Sequence, residues 1–321
     1  MARNRRWSRN IDTERINRGE RPNICFAVAM DRKFNAQLAD LAQTHPALGL
    51  LRLAALLAEA DAEPDDDALD LLFEQVDAGF LLDVAPTEIW PELVRGLMAR
   101  SPAKMIRTLR DCGALAQILP EADALFGVPQ IVDQPTPVDL GAHLLKSLSE
   151  AALCEAPLPA RVALLLMNVG KADSPREHLP AHYRHIERGL PRINAICERF
   201  GAPSECRELA LAAAAECERV HRASKTRAGP VALMLERLGG FDAPERFRRL
   251  MTVCACDYRS YGERSGQAYP KAALLETALA ACAEIDGGGF SGPDAEEGLR
   301  EARAVAIARV FVSQRWSGEA D

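Results

Sequence analysis

Leu48-Gly49-Leu50-Leu51-Arg52-Leu53-Ala54-Ala55-Leu56-Leu57 is the stretch on which the fold turns. Leu48, Leu51, Leu53, Leu56 and Leu57 approximate a stripe with the 3.6-residue period of an α-helix, and Pro64, which has no amide hydrogen to donate, closes it. The pattern returns over Ala68 to Val76 and ends at Gly79. Ser101-Pro102 reads as an N-cap and a first-turn proline, opening a helix that runs through Leu109 and stops at Gly113. Further helices are expected over 140–154, 158–168, 182–200, 203–220, 229–238, 243–259, 270–284 and 293–315. Pro157, Gly170, Gly201-Ala202-Pro203, Gly229-Pro230, Gly239-Gly240 and Gly287-Gly288-Gly289 separate them as helix stops. No run alternates with the period of a strand, and no internal repeat is present. The expected fold is all-α, an elongated multi-helix body.

Composition agrees. Of 321 residues 48% are hydrophobic, ample for a packed core, and only 5% are aromatic. Ala and Leu outnumber the β-branched residues that favour sheets. The first residues never reach an apolar signal core, and no stretch approaches the ~20 apolar residues of a membrane span. A cytoplasmic protein without membrane contact is expected. Nine cysteines, an odd number without a CxxC pair, read as buried free thiols. Cys254 and Cys256 lack the second pair that a zinc site needs.

The formal net charge of −7 argues against a partner whose phosphates must be neutralised. Its distribution argues otherwise. Seven arginines crowd residues 1–21, among them Arg3, Arg5, Arg6 and Arg9 around Trp7. Twelve acids and no base lie between Arg52 and Arg95, with Asp65-Asp66-Asp67 reading as an acidic helix start. From Arg219 to Arg249 eight bases, including Arg222, Arg227, Arg248 and Arg249, face three acids. The glycine clusters follow no strand and match neither GxGxxG nor GxxxxGK[ST], so they are not phosphate loops. Of six histidines, His178, His182 and His185 have spacing for one helical face, but Pro180 interrupts it.

From about Leu48 to Trp316 the chain resembles the part of bacterial CCA-adding tRNA nucleotidyltransferases that follows the catalytic head. Leu109-Arg110-Asp111-Cys112-Gly113-Ala114-Leu115 and Leu119-Pro120-Glu121-Ala122-Asp123-Ala124-Leu125-Phe126-Gly127-Val128-Pro129 are similar to that family's best-marked segment. Gly141-Ala142-His143 continues it. Leu165-Leu166-Met167-Asn168-Val169-Gly170-Lys171 falls where members of the enteric type carry HDLGK, and Cys254-Ala255-Cys256-Asp257-Tyr258-Arg259 and Tyr269-Pro270 match two later landmarks.

The resemblance implies a helical scaffold that holds tRNA, and its departures bear on activity. The family's head carries GGxxRD and paired carboxylates for Mg²⁺; about 45 residues precede the body here, too few for that head, and neither motif stands in them. The acidic positions that open the family's first body helix correspond to His45 and Pro46, its first arginine to Gly49, and only Arg52 matches the next. In the family's E-R-V-W-x-E, Trp90 and Glu92 match, but the arginine is Glu88. At the HD-type phosphohydrolase motif, His143 and Asp257 match the outer ligands, while the central pair is Met167-Asn168. A thioether and an amide are poor ligands for hard or borderline divalent ions.

These readings divide the chain into a basic arm (1–45), a neck and body region (46–135) and a degenerate HD-like region with its tail (136–321). The expected function is a catalytically inactive tRNA nucleotidyltransferase-like protein that binds tRNA or another structured RNA through Arg3, Arg5, Arg6, Trp7, Arg9, Arg52, Arg222, Arg227, Arg248 and Arg249, with no cofactor. One alternative is a divergent HD-type phosphohydrolase with a divalent metal among His143, His182, His185 and Asp257. Another is a scaffold that docks a separate nucleotidyltransferase head.

Overall fold

The computed structural model describes residues 46–131, 137–223 and 227–316, with side chains from 47 to 311. Arg3, Arg5, Arg6, Trp7 and Arg9 lie outside the described residues. The described helices belong to one compact unit, Thr44–Asp321. Its first half comprises α1 (Pro46–Ala60), α2 (Asp66–Asp77), α3 (Pro86–Leu97), α4 (Pro102–Asp111) and the short α5 (Ala114–Ile118) and α6 (Pro120–Asp123). Then come α7 (Leu140–Leu153), α8 (Leu158–Leu166), α9 (His185–Phe200), α10 (Ser204–His221), α11 (Ala228–Arg237), α12 (Pro244–Arg259), α13 (Pro270–Ala281) and α14 (Ala295–Trp316). Among the described residues the all-α expectation holds, apart from a two-residue antiparallel ladder of β1 (Pro129–Gln130) and β2 (Val138–Asp139). A ladder that short has no alternation to read.

The local chemistry explains the elements. Asp65 caps α2, its carboxylate accepting the Ala68 N–H at 2.8 Å, and Asp66 and Asp67 follow in the first turn. Ser101 stands before α4 but does not cap it; its hydroxyl donates to Asp61 Oδ1 at 2.6 Å, joining the turn after α1 to the start of α4. The helix expected from 182 starts at His185, because Leu179-Pro180 and the following turn interrupt it.

The core is organised around α8. Every residue from Pro159 to Leu166 is buried, as expected of a helix apolar on all sides. α8 packs most extensively on α10 and also touches α3, α7 and α12, while α9 and α12 pack on α10. In the first half, α3 and α4 pack on α1. Arg161 lies inside this core at 4% exposure. Its guanidinium donates to Ala156 O, Leu97 O and Ala99 O at 2.8–3.0 Å, so three carbonyls satisfy a charge that would be costly to bury unpaired.

Two landmark glycines are spacing requirements. A Cβ on Gly141 would sit 2.3 Å from the Phe126 ring, so the start of α7 lies on the segment before it. Gly170 is not the helix stop that the sequence suggests. It lies in the 3₁₀ turn Val169–Lys171, where a Cβ would meet His185 O at 2.1 Å and Gly189 N at 2.6 Å. That contact presses the turn after α8 against α9. Gly170→Ala is therefore expected to lower unfolding free energy by about 1–3 kcal/mol in urea titration, because backbone rather than a flexible side chain must yield.

Candidate functional site

Four segments converge on one centre: α7 brings His143, the last turn of α10 brings Cys217 and His221, α12 brings Asp257, and Tyr269 stands at the entry to α13. The Asp257 carboxylate is buried. Its Oδ1 lies 2.8 Å from His143 Nε2 and its Oδ2 2.9 Å from His221 Nε2. Ser260 Oγ is 2.7 Å from His143 Nδ1, and Tyr269 Oη is 2.8 Å from His221 Nδ1. Each imidazole thus bridges one oxygen of Asp257 and one hydroxyl, and the Ser260 hydroxyl also donates to Asp257 O at 2.6 Å. Tyr261 stacks on His143 with ring centroids 4.1 Å apart and 24° between planes, completing the burial.

Burial alone would raise the Asp257 pKa; His143 and His221 reverse this and hold it well below the usual carboxylate range. Burial works against a charged His221, but Cys217 and Asp257 beside it hold its pKa well above the ordinary histidine range. The Cys217 thiol is itself pushed far up, through its contact with Cys254 and by burial.

This centre forms one wall of a cleft of about 890 Å³ that is also lined by Met167, Asn168, Lys171, His182, His185, Glu218, Arg222, Arg264 and Lys271. Met167 and Asn168, at the end of α8, line the same cleft as Asp257, at the positions where the resemblance places the central HD pair. His182 and His185 line the same cleft but are committed elsewhere. His182 contacts Ser174 Oγ at 2.8 Å and Pro129 O at 3.1 Å, and His185 contacts His182 O at 2.6 Å and Glu218 at 3.4 Å. Burial, then the neighbouring Lys171 charge, lowers both of their pKa values. Lys171, 4% exposed, lies 2.6 Å from Gln130 Oε1 and 2.9 Å from Glu218 Oε1. Burial would raise the Glu218 pKa, but Lys171 holds it down.

The HD-type set does not fit its metal. His143 and Asp257 satisfy each other, Met167 offers only a thioether, and Asn168 brings no charge. Among the described residues the one cluster of three close ligand atoms is Cys217, His221 and Asp257, all within 4.8 Å of one another. Sequence reading gave Cys217 and His221 no role. Their i, i+4 spacing was the available signal, since it puts both on one face of α10.

Of the five described arginines expected to hold RNA, four are engaged within the protein. Arg52 pairs with Glu92 at 2.7 Å, Arg222 with Glu218 at 3.1 Å, Arg248 with Glu245 at 2.5 Å and Arg249 with Glu205 at 2.9 Å. Arg227 is exposed at the entry to α11. Glu88, in place of an arginine, accepts the Ala85 N–H at 3.2 Å and closes the start of α3. Trp90 packs against Phe200, ring centroids 6.2 Å apart.

An all-helical body with a buried His–Asp–His centre beside a basic cleft is the class of protein that these features define. No model of a protein family matches the chain. It is similar to the multifunctional CCA proteins of Burkholderia multivorans (39% identity over 262 residues, 81% of this chain and 63% of the relative) and Ralstonia nicotianae (38% over 263 residues, 82% and 61%). It is also similar to that of Halorhodospira halophila, at 40% identity over 268 residues, 82% of this chain and 65% of the relative. The chain spans less than two thirds of the length of these relatives. Among the described residues no helix is long and apolar enough to cross a membrane.

The paired charges set a pH window. His221, with its folded pKa raised, contributes fully below about pH 6.5 and loses that contribution as pH rises through the folded value. Asp257, with its folded pKa depressed, contributes fully above about pH 4 and loses it as pH falls through the folded value. Asp257→Asn keeps one acceptor and turns an NH₂ toward the second imidazole N–H. In chelator-treated protein it should cost about 3 kcal/mol at pH 5.5, and less at pH 9, by urea unfolding.

Proposed function

We propose that the chain is a tRNA nucleotidyltransferase-like body that binds tRNA or another structured RNA and performs no hydrolysis at its HD-type centre. The cleft carries this reading. Lys171, Arg222, Arg264 and Lys271 border it, while its two carboxylates are already countered: Asp257 between two imidazoles, and Glu218 beside Lys171 and Arg222. A cleft so arranged favours a phosphate-bearing ligand. Met167-Asn168 supports the absence of hydrolysis, because the pair cannot hold the ion that would activate water. His45, Pro46 and Gly49, at positions that read the incoming nucleotide in the family, and Glu88, where the family has an arginine, weigh against CCA addition by this body.

Filter binding with bulk tRNA tests the reading. Affinity should fall steeply with salt. Replacing Arg222, Arg264 and Lys271 together by Ala should weaken binding about tenfold or more, each lost phosphate contact being worth on the order of 1 kcal/mol. Replacing Arg248 and Arg249, which do not line the cleft, should weaken it less. Binding indifferent to salt, or an unaffected cleft variant, refutes the proposal. Copurification of a stoichiometric protein in place of RNA favours a scaffold that docks a separate nucleotidyltransferase head.

One observation favours a metal-dependent phosphohydrolase instead, the approach of Cys217, His221 and Asp257. A thiolate, an imidazole and a carboxylate suit zinc better than a hard ion. Elemental analysis after zinc loading decides: one equivalent retained by the parent and lost in Cys217→Ser supports that reading, and equal background in both proteins refutes it.

A further inference from the structure

Away from the cleft, Cys154 ends α7 as its C-cap residue and is the exposed one among the described cysteines. Its Sγ lies 3.6 Å from Sγ of Cys256, which is buried on α12. The two sulfurs face each other as free thiols. The buried guanidinium of Arg161 has only carbonyl oxygens as hydrogen-bond partners and acts electrostatically on both sulfurs. A positive charge without a carboxylate partner, set beside a thiol, favours the thiolate there.

We propose that Cys154 and Cys256 form a peroxide-reactive dithiol, with Cys154 as the attacking thiolate and Cys256 as the resolving thiol. In the first step Cys154 sulfur attacks hydrogen peroxide: an S–O bond forms, the O–O bond breaks, and the departing hydroxide takes up a proton to become water. Sulfur loses two electrons and the peroxide gains them, leaving a sulfenic acid. In the second step Cys256 sulfur attacks that of Cys154. The S–S bond forms, the S–O bond breaks, and the proton of Cys256 leaves with the oxygen as a second water. The sulfurs must close from 3.6 Å to about 2.0 Å, and the cap position of Cys154, outside the regular helix, lets it move.

Two features separate this pair from the other cysteines. The Cys154 thiol is held below the ordinary thiol range, first by hydrogen bonding from Cys256 and further by Arg259, while burial pushes Cys197 and Cys206 up to about 11. Cys256 also directly precedes Asp257, and His143 shares α7 with Cys154. The bond would therefore tie together the two helices that hold the His143–Asp257 contact.

The test treats the reduced full chain with hydrogen peroxide and maps its cysteines by mass spectrometry. The expected product is a Cys154–Cys256 disulfide, with Cys154 consumed at least about tenfold faster than Cys206. Cys256→Ser should stop at a sulfenic acid on Cys154 that dimedone captures, and Cys154→Ser should leave Cys256 reduced. Circular dichroism matched to the parent establishes that both variants are folded. Oxidation of Cys154 no faster than of Cys206, a disulfide between other cysteines, or a sulfenic acid that persists in the parent overturns the proposal.

Discussion

A carboxylate taken out of water costs several kcal/mol unless its oxygens find donors. Asp257 meets that demand with two imidazoles from different helices, and much of the second half follows from it. His143 fixes α7 against α12, and His221 fixes the end of α10 against the same residue. With those three helices set, α8 fills the space between them, and its last residues arrive beside Asp257. The hydroxyls of Ser260 and Tyr269 then close the outer ends of the chain.

The residues that carry the family resemblance act largely through packing. Glu121 takes Arg199 in a bidentate pair with both distances 2.9 Å, joining α6 to α9. Phe126 occupies the space that Gly141 leaves open, and Arg110 lies 4.2 Å over the Phe126 ring. Arg52 and Glu92 join α1 to α3. These contacts join separate segments of the scaffold to one another.

Periodicity made the helices legible, since a stripe such as Leu48 to Leu57 has only one way to bury itself. Gly and Pro marked most of the ends. Sequence failed where a residue answers to a distant partner. Ser101 has the chemistry of a cap but donates to Asp61 instead, and Gly170 looks like a stop but is a point of close approach. The same limit applies to the site. His143 and Asp257 were visible by resemblance, whereas Cys217 and His221 sit at the end of a helix whose many alanines leave its buried face poorly marked. Arginine clusters reveal charge but not its recipient: Arg52 and Arg249 face carboxylates of other helices, and Arg248 faces Glu245 on its own.

Arg161 has a mechanical meaning. Its side chain starts on α8 and ends on the carbonyls that close α3, and its burial ties the two anchor points together. The early and late helices therefore cannot hinge apart at this seam without exposing a guanidinium and two carbonyls together. Opening the seam would thus be an all-or-nothing event, since the guanidinium and both carbonyls lose their partners at once.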